Sequence, residues 1–318
     1  MESRQLMSSQ HKFRFGVQCG GEFTGESWRE LARKIEALGY ETLYVPDHFI
    51  DTVLAPLPAM AMAAEATSTL RVGALVMDND YKHPAILAKE TATIDVLSDG
   101  RAELGIGAGW MKVDYEALGL DYDTPGTRIA RLDEGLQVIK GCFSGEKFSF
   151  AGDHYTITDY VGIPKPVQSK LPILIGGGGP KILGLAGREA DIIGINPNLR
   201  VGAITADAAA TASGAETLKK LDYIKAGAGD RFDEIELQIR YFVHAITDDR
   251  DGFAAMMAPA FDATPEDLLG SGAALFGTLP EMVDTLVQRR EEWGVTYIIV
   301  GNDFFEAFAP VVAELAGT

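Results

Sequence analysis

Residues 171–198 read LPILIGGGGPKILGLAGREADIIGINPN, and this stretch decides the fold. Its short apolar run, Ile173–Ile175, is typical of a buried strand, and Pro180 suits the first turn of a helix. A second apolar run at residues 190–195 follows after the length of one helix. The order strand, helix, strand predicts a βαβ unit in which the two strands are parallel.

Four glycines, Gly176, Gly177, Gly178 and Gly179, separate the first strand from the helix. They have no Cβ, so their N–H groups can approach a ligand closely, and the helix dipole favours an anion there. A tight turn is the alternative, but a turn needs only one or two residues with positive φ, whereas this loop has four glycines. A proline follows the last glycine, so the loop lacks the Walker pattern. We therefore favour a binding site for a phosphate group.

Composition limits the classes of partner. The 318 residues carry a formal net charge of −18, which repels phosphates and anionic lipids, so we expect no nucleic acid and no membrane partner. No apolar run is long enough to cross a bilayer, and residues 1–12 are polar without a secretion signal. We expect a flexible leader at residues 1–12, a single domain at residues 13–318 and a cytoplasmic location.

Hydrophobic periodicity along the chain predicts eight strands that alternate with eight helices. That count is typical of a (β/α)₈ TIM barrel, which we favour over a doubly wound sheet. A hairpin is predicted near residues 147–157, a long loop at residues 201–215, and an acidic, irregular segment with short helical pieces at residues 248–278. The predicted strands are residues 13–18, 42–45, 70–77, 102–106, 173–175, 190–195, 235–246 and 295–300.

Polar and glycine-rich groups follow most of these strands directly. In a barrel the carboxyl ends of the strands form the active-site face, so these groups are expected to converge there. They are Glu22, Asp47, His48, Asn79, the loop 107–110, the glycines 176–179, Asn196 and Asn302.

Asp47 and His48 follow the second strand. Histidine titrates near neutral pH and can give or take a proton, and a neighbouring carboxylate can orient the ligand or the imidazole. The alternative is a pair of ordinary polar loop residues, and the strand-end position favours the catalytic interpretation. The histidines match no metal spacing, so we expect no metal. His83 precedes a predicted helix, and we assign it a structural role.

The loop Gly105-Ile-Gly-Ala-Gly-Trp110 resembles a dinucleotide fingerprint only in part. Trp110 occupies the third glycine position, and no helix opens immediately. We expect glycines such as Gly107 to let a flat ring approach the fourth strand, with Trp110 as a wall. Core packing of Trp110 is the alternative.

Several motifs in this order resemble the luciferase-like flavin and deazaflavin oxidoreductases, over residues 13–316. Within that superfamily the chain is most similar to the branch that depends on coenzyme F420. The motifs are Pro-Asp-His-Phe at residues 46–49, Val-Gly-Ala-Leu at 72–75, Asn-Asp-Tyr-Lys-His-Pro at 79–84, Ser-Asp-Gly-Arg at 98–101, the loop 104–110, and residues 175–180 with Ala-Asp at 190–191.

The resemblance implies that a deazaflavin ring lies over the strand ends, with its phosphate tail at the glycines, of which Gly178 and Gly179 match the family's pair. It implies that His48 transfers a proton and that Glu22 is a second acid or base. Asp47 and Asn196 would contact the cofactor. Ala74 and Leu75 fall where the family has a non-prolyl cis peptide bond behind the ring.

The expected activity is that of a coenzyme F420-dependent oxidoreductase, which moves a hydride between the deazaflavin C5 and a small organic substrate. A reduced-FMN-dependent monooxygenase and a non-catalytic cofactor-binding protein are the alternatives. By resemblance we expect a homodimer and a separate F420 or flavin reductase as partner. Trp110 and Leu199 replace a glutamate and a lysine of the sugar-phosphate branch. If the loop is extended, the side chain of Arg200 points away from the substrate mouth. We therefore expect an uncharged substrate, because a buried anion without a cation is costly.

Overall fold

The eight predicted strands form the wall of a closed barrel in the computed structural model, which describes residues 11–50 and 52–318. All neighbouring barrel strands are parallel, and the ring closes where the third strand pairs with the fourth and the eighth pairs with the first. The prediction of a (β/α)₈ barrel is confirmed. The barrel strands are β1 (Arg14–Gln18), β2 (Thr42–Val45), β3 (Arg71–Ala74), β4 (Ala102–Gly107), β5 (Ile173–Gly177), β6 (Ile192–Ile195), β7 (Glu236–Arg240) and β8 (Val295–Gly301).

Helices follow the barrel strands along the chain. None of the helices in the described part is long and apolar enough to span a membrane. Residues 1–10 of the predicted leader, residues 1–12, lie outside the described residues. The helices are α1 (Gly25–Ala37), α2 (Pro56–Ala66), α3 (Pro84–Leu97), α4 (Lys112–Leu118), α5 (Pro125–Ser144), α6 (Pro180–Glu189), α7 (Ala206–Ala210), α8 (Gly214–Ala228), α9 (Arg250–Met257), α10 (Pro265–Leu269), α11 (Leu279–Trp293) and α12 (Phe305–Leu315).

The seventh predicted strand, residues 235–246, was too long. The N–H of Tyr241 still bonds to β8, but the N–H groups of Phe242 and Val243 bond to the carbonyl of Ala273 instead. Val243–Ile246 then forms a two-stranded parallel sheet with Ala274–Gly277 outside the barrel. A continuous β-favouring sequence does not show that the strand changes its partner.

Two other irregular segments differ in how well they were predicted. The long loop at residues 201–215 was wrong in part, because Thr205 and Ser213 cap the starts of α7 and α8 with their side chains. The hairpin is confirmed: Lys147–Ala151 pairs antiparallel with Thr156–Val161. Residues 248–278 contain the short helices α9 and α10, as expected.

A buried carboxylate joins the strands at the amino-terminal end of the barrel. Glu103 on β4 accepts hydrogen bonds from Arg14 at 2.6 Å, from Arg71 at 2.8 Å and from the hydroxyl of Tyr44 at 2.6 Å. Burial raises the pKa of Glu103, but the two guanidinium groups outweigh burial and hold the pKa below its usual value. A buried charge of this kind is stable only while its partners remain in place.

We predict that Glu103→Gln lowers the free energy of unfolding by about 3–5 kcal/mol, because it leaves two buried guanidinium groups without their common anion. Urea unfolding at neutral pH measures the change. The matched control is Glu306→Gln, which removes an exposed partner of Lys34 and costs about 0–1 kcal/mol.

The same prediction has a pH dependence. The folded-state pKa of Glu103 lies below its usual value, so its contribution is complete above that usual value and is lost as the pH falls through the folded-state pKa. The difference between wild type and Glu103→Gln should shrink in acid. Equal losses in the two variants at neutral pH would contradict the assigned role of Glu103.

Candidate active site

His48 is held at the carboxyl end of β2 by a buried aspartate. Its Nδ1 lies 2.9 Å from Oδ2 of Asp114, whose side chain is fully buried in the first turn of α4. The other oxygen of Asp114 accepts the N–H groups of Phe49 and Ile50, both at 3.0 Å. A carboxylate accepts only, so it fixes the tautomer of His48 with a proton on Nδ1 and leaves Nε2 for chemistry.

Aromatic side chains surround this pair. The ring of Trp110 meets the His48 ring edge-on, with 5.4 Å between the centroids. The hydroxyl of Tyr81 lies 3.4 Å from the same Asp114 oxygen, and burial raises the pKa of Tyr81, so it stays a donor. Trp110 is partly exposed beside His48, which agrees with a wall rather than with a core residue.

Asp47, the neighbour of His48, faces β3 and its continuation. Its carboxylate accepts the N–H of Asp78 at 3.1 Å, and burial raises the pKa of Asp47. Asp78 in turn accepts the hydroxyl of Tyr115 at 2.8 Å, and burial raises its pKa to about 7. A Cβ on Gly109 would overlap that hydroxyl, so this glycine, with φ of +74°, is needed for the close approach of Tyr115.

The cis peptide bond lies between Leu75 and Val76, one residue after the predicted Ala74–Leu75 position. The carbonyl of Leu75 accepts the side chain of Gln18 at 2.8 Å. Val76 packs on the residues inside the barrel, and its methyl groups lie where a Cβ of Gly107 or of Gly176 would point, at 2.9 and 3.3 Å. These two glycines therefore leave room for an apolar floor made by Val76.

The glycines 176–179 lie where β5 meets α6, but none of them has positive φ. Close packing requires a glycine at two of these positions. A Cβ on Gly177 would press on Ile182, and one on Gly178 would overlap the carbonyl oxygens of Asn196 and Pro197. Gly179 is the N-cap of α6, where no side chain caps the helix, and a Cβ there would make only ordinary contacts. The uncapped helix start remains able to take an anion.

The other residues predicted at the strand ends make no described hydrogen bond to His48 or Asp114. Glu22 is exposed after β1, and no hydrogen bond or ion pair joins it to His48. Asn196 lies after β6 beside Gly176, and its carbonyl accepts Nζ of the buried Lys220 at 2.8 Å. Asn302 accepts the N–H of Gly20, and Asn79 donates to Tyr155, so both have structural partners.

His83 and the two cysteines behave as structural residues. His83 caps α3 by accepting the N–H of Ala85. Cys19 and Cys142 are buried thiols. A cavity of about 490 Å³ lies at the opposite end of the barrel beside Arg14 and Glu236, away from every predicted site residue.

A family model described as luciferase-like monooxygenase matches residues 8–297. The chain belongs to this family. Solved structures agree in fold: a coenzyme F420-dependent tetrahydromethanopterin reductase from Methanopyrus kandleri has a TM-score of 0.76 at 19% identity, with 96% of this chain and 99% of that chain covered.

The names of curated relatives of this luciferase-like chain specify two cofactors, F420 and, for a dimethylsulfone monooxygenase of Pseudomonas putida that is 29% identical over 65% of this chain and 53% of that protein, FMNH(2). An F420-dependent glucose-6-phosphate dehydrogenase of Amycolatopsis mediterranei is 31% identical over 172 residues, which are 51% of this chain and 50% of that protein. A limonene 1,2-monooxygenase of Rhodococcus erythropolis is 28% identical over 284 residues, or 83% and 71%. The chain thus spans about half the length of the first F420-dependent relative. The family supports an oxidoreductase, and the relatives leave F420 and FMN open.

We predict that Gly179→Ala weakens cofactor binding about tenfold, because its methyl group restricts approach to the N–H groups at the start of α6. The control is Gly184→Ala in the same helix, where a Cβ meets nothing within 4 Å. Fluorescence titration with F420 and with FMN measures both variants. Unchanged cofactor affinity in Gly179→Ala would contradict phosphate binding at the start of α6 and leave the glycines with a packing role alone.

Proposed function

We propose that this luciferase-like protein is a coenzyme F420-dependent oxidoreductase that moves a hydride between the deazaflavin C5 and a small organic substrate. The observation that carries the proposal is the pair of His48 and Asp114 beside Trp110 at the carboxyl ends of the strands. The F420-dependent relatives support the choice of cofactor.

The residues at this face fit such a cofactor. The uncapped start of α6 at Gly178 and Gly179 would hold its phosphate, since amide groups and the helix dipole favour an anion. Val76 offers an apolar surface behind a ring, with Gly107 and Gly176 beside it. Asp47, Ala74, Leu75, Trp110, Gly177 and Asn196 complete the proposed contacts. When bound, the deazaflavin supplies hydride donation or acceptance at C5.

His48 moves the proton that accompanies the hydride. Asp114 holds Nδ1, so Nε2 is the nitrogen that can donate to or accept from a substrate oxygen. The N–H groups of Phe49 and Ile50 keep the carboxylate of Asp114 in one orientation. Glu22 stays a proposal as a second acid or base, and its exposure and lack of a link to His48 make it the weaker one.

A reduced-FMN-dependent monooxygenase is the second candidate. The FMNH(2)-dependent dimethylsulfone monooxygenase relative favours it, since that match covers 65% of this chain and the match to the first F420-dependent relative covers 51%. Such an enzyme needs a separate flavin reductase. The homodimer and the cytoplasmic location stay predictions.

The expectation of an uncharged substrate rested on the lack of an inward cation. Arg200 is exposed, as expected, and its N–H bonds to the side chain of Asn198. Another arginine, Arg240 on β7, lies at the carboxyl end of the barrel, and it was not considered from the sequence. The lack of an inward cation therefore no longer supports an uncharged substrate. We still propose that the body of the substrate is largely apolar.

We predict that purified protein binds F420 more tightly than FMN, because the motif order is closest to the F420-dependent branch. Fluorescence titrations with the two cofactors under one set of conditions measure this. Equal or tighter binding of FMN would transfer the proposal to the monooxygenase.

We predict that His48→Ala lowers turnover by about 10² to 10⁴ while cofactor affinity stays within a few fold, because it removes a positioned proton-transfer group. Asp114→Asn should lower turnover by about 10². It keeps the oxygen that accepts from Phe49 and Ile50 but turns an N–H donor toward Nδ1 of His48.

The control for both variants is Asp121→Asn, an exposed carboxylate on the loop after α4. Steady-state turnover and cofactor titration are measured for all three. Wild-type turnover in His48→Ala would show that His48 is only a wall of the site.

A further inference from the structure

Arg240 ends β7 and points into the carboxyl end of the barrel. Its neighbours Leu237, Ile239 and Tyr241 pack in the outer core, whereas Gln238 reaches the interior hydroxyl of Tyr44. Alternation along the strand therefore turns Arg240 to the same side as Gln238, one step nearer the mouth.

The guanidinium group of Arg240 has no anionic partner in contact. Its Nε is out of contact with solvent and has no hydrogen-bond partner, and no ion pair within 4.0 Å joins it to the described residues. Burial lowers its pKa to about 10, although the charge of Asp303 raises it. Buried charges are normally paired, so this cation is suited to a ligand that supplies the anion.

Two groups near Arg240 are not available as cations for a ligand. Arg240 lines a cavity of about 10 Å³, the size of one water molecule, together with Asn196 and Lys220, so a ligand must reach Arg240 from the exposed side. The ammonium group of Lys220 already donates to the carbonyl oxygens of Asn196 and Thr211, at 2.8 and 2.6 Å. His244 stacks on Phe304 at 4.0 Å, and burial lowers its pKa although Asp303, 3.8 Å away, raises it, so its neutral form is favoured.

Apolar groups adjoin this cation. The guanidinium carbon of Arg240 lies 4.0 Å from the centre of the Phe242 ring, and half of Phe242 is exposed. Exposed apolar side chains also occur on the loops after β6 and β7. They are Val201, Ile204, Ile246 and Met256. A planar cation beside aliphatic and aromatic surface matches a ligand with one carboxylate and an apolar body.

We propose that Arg240 is the substrate-anchoring residue of this site and that it binds the carboxylate of an otherwise apolar substrate, across the mouth from His48. The proposal rests on the proposed function only in that the substrate enters at this face. Asp303 is the competing anion. It flanks Gly301 together with Arg240, and 75% of its side chain is exposed, so it can leave when a carboxylate arrives.

The experiment uses cofactor-free, full-length protein and two probes, benzoate and benzamide, which differ in charge but hardly in shape. Isothermal titration calorimetry should show benzoate binding at least about tenfold more tightly, because charge-assisted bidentate pairing is open only to the carboxylate. Equal affinity of the wild type for the two probes would overturn the proposal. The titration with benzoate and benzamide contains no cofactor. Tighter binding of FMN than of F420 in the separate cofactor titrations would therefore contradict the proposed F420 dependence without affecting the test of Arg240.

Variants assign the effect to a residue. Arg240→Gln should reduce benzoate affinity to that of benzamide, and Arg240→Lys should retain only part of the preference, because lysine lacks the planar fork. The control is Arg200→Gln, which removes an exposed arginine after β6 and should change nothing. Equal loss in Arg200→Gln would overturn the assignment to Arg240.

Two further arms keep the test decisive if Arg240→Gln does not fold. Asp303→Asn should tighten benzoate a few fold and leave benzamide unchanged, because it removes the competing anion. An unchanged benzoate affinity there would contradict the arrangement described. Inorganic phosphate should bind more weakly than benzoate, and binding as tight as benzoate would overturn the carboxylate with an apolar body as the ligand class.

Discussion

The carboxylate of Glu103 is the interaction on which the barrel depends. Its direct partners and theirs come from five of the other seven strands: Arg14 on β1, Thr42 and Tyr44 on β2, Arg71 on β3, Glu236 on β7 and Tyr297 on β8. A buried charge tolerates no missing partner, so this end of the barrel has one arrangement. In a TIM barrel the loops at the opposite end of the strands can vary while the barrel persists, so they are free to hold functional groups.

The candidate active site uses that freedom through contacts between loops. α4 follows β4, yet its Asp114 reaches back to the loop after β2 and orients His48. The loop after β6 packs its carbonyl groups against Gly178 after β5, and Lys220 on α8 holds one of those carbonyls. His48 and Gly178 are thus placed by residues from other βα units rather than from their own.

The sequence predicted the features that depend on local patterns and missed the contacts between residues that lie far apart along the chain. Strand count, hairpin and strand-end residues follow from periodicity and turn signals, which are local. Asp114 was missed because 66 positions separate it from His48, and an aspartate in the first turn of a helix is ordinary there. The glycines 176–179 were predicted to let a ligand approach their N–H groups, and the sequence did not show that Ile182 and the carbonyls of the next loop exclude a Cβ at Gly177 and Gly178. Arg240 was hidden inside a strand predicted to be longer than it is.

The segment from Arg240 to Ile246 has a consequence for how such a chain can diverge. The even-numbered side chains lie at the mouth of the barrel, where Arg240 stacks on Phe242 and His244 stacks on Phe304. The odd-numbered side chains pack in apolar clusters on the other side; they are Tyr241, Val243 and Ala245. Successive mouth positions are about 7 Å apart along the extended chain. Substitutions at the even-numbered positions can therefore change ligand preference, whereas the odd-numbered side chains maintain the packing. Selection can thus act on specificity and on stability separately within seven consecutive codons.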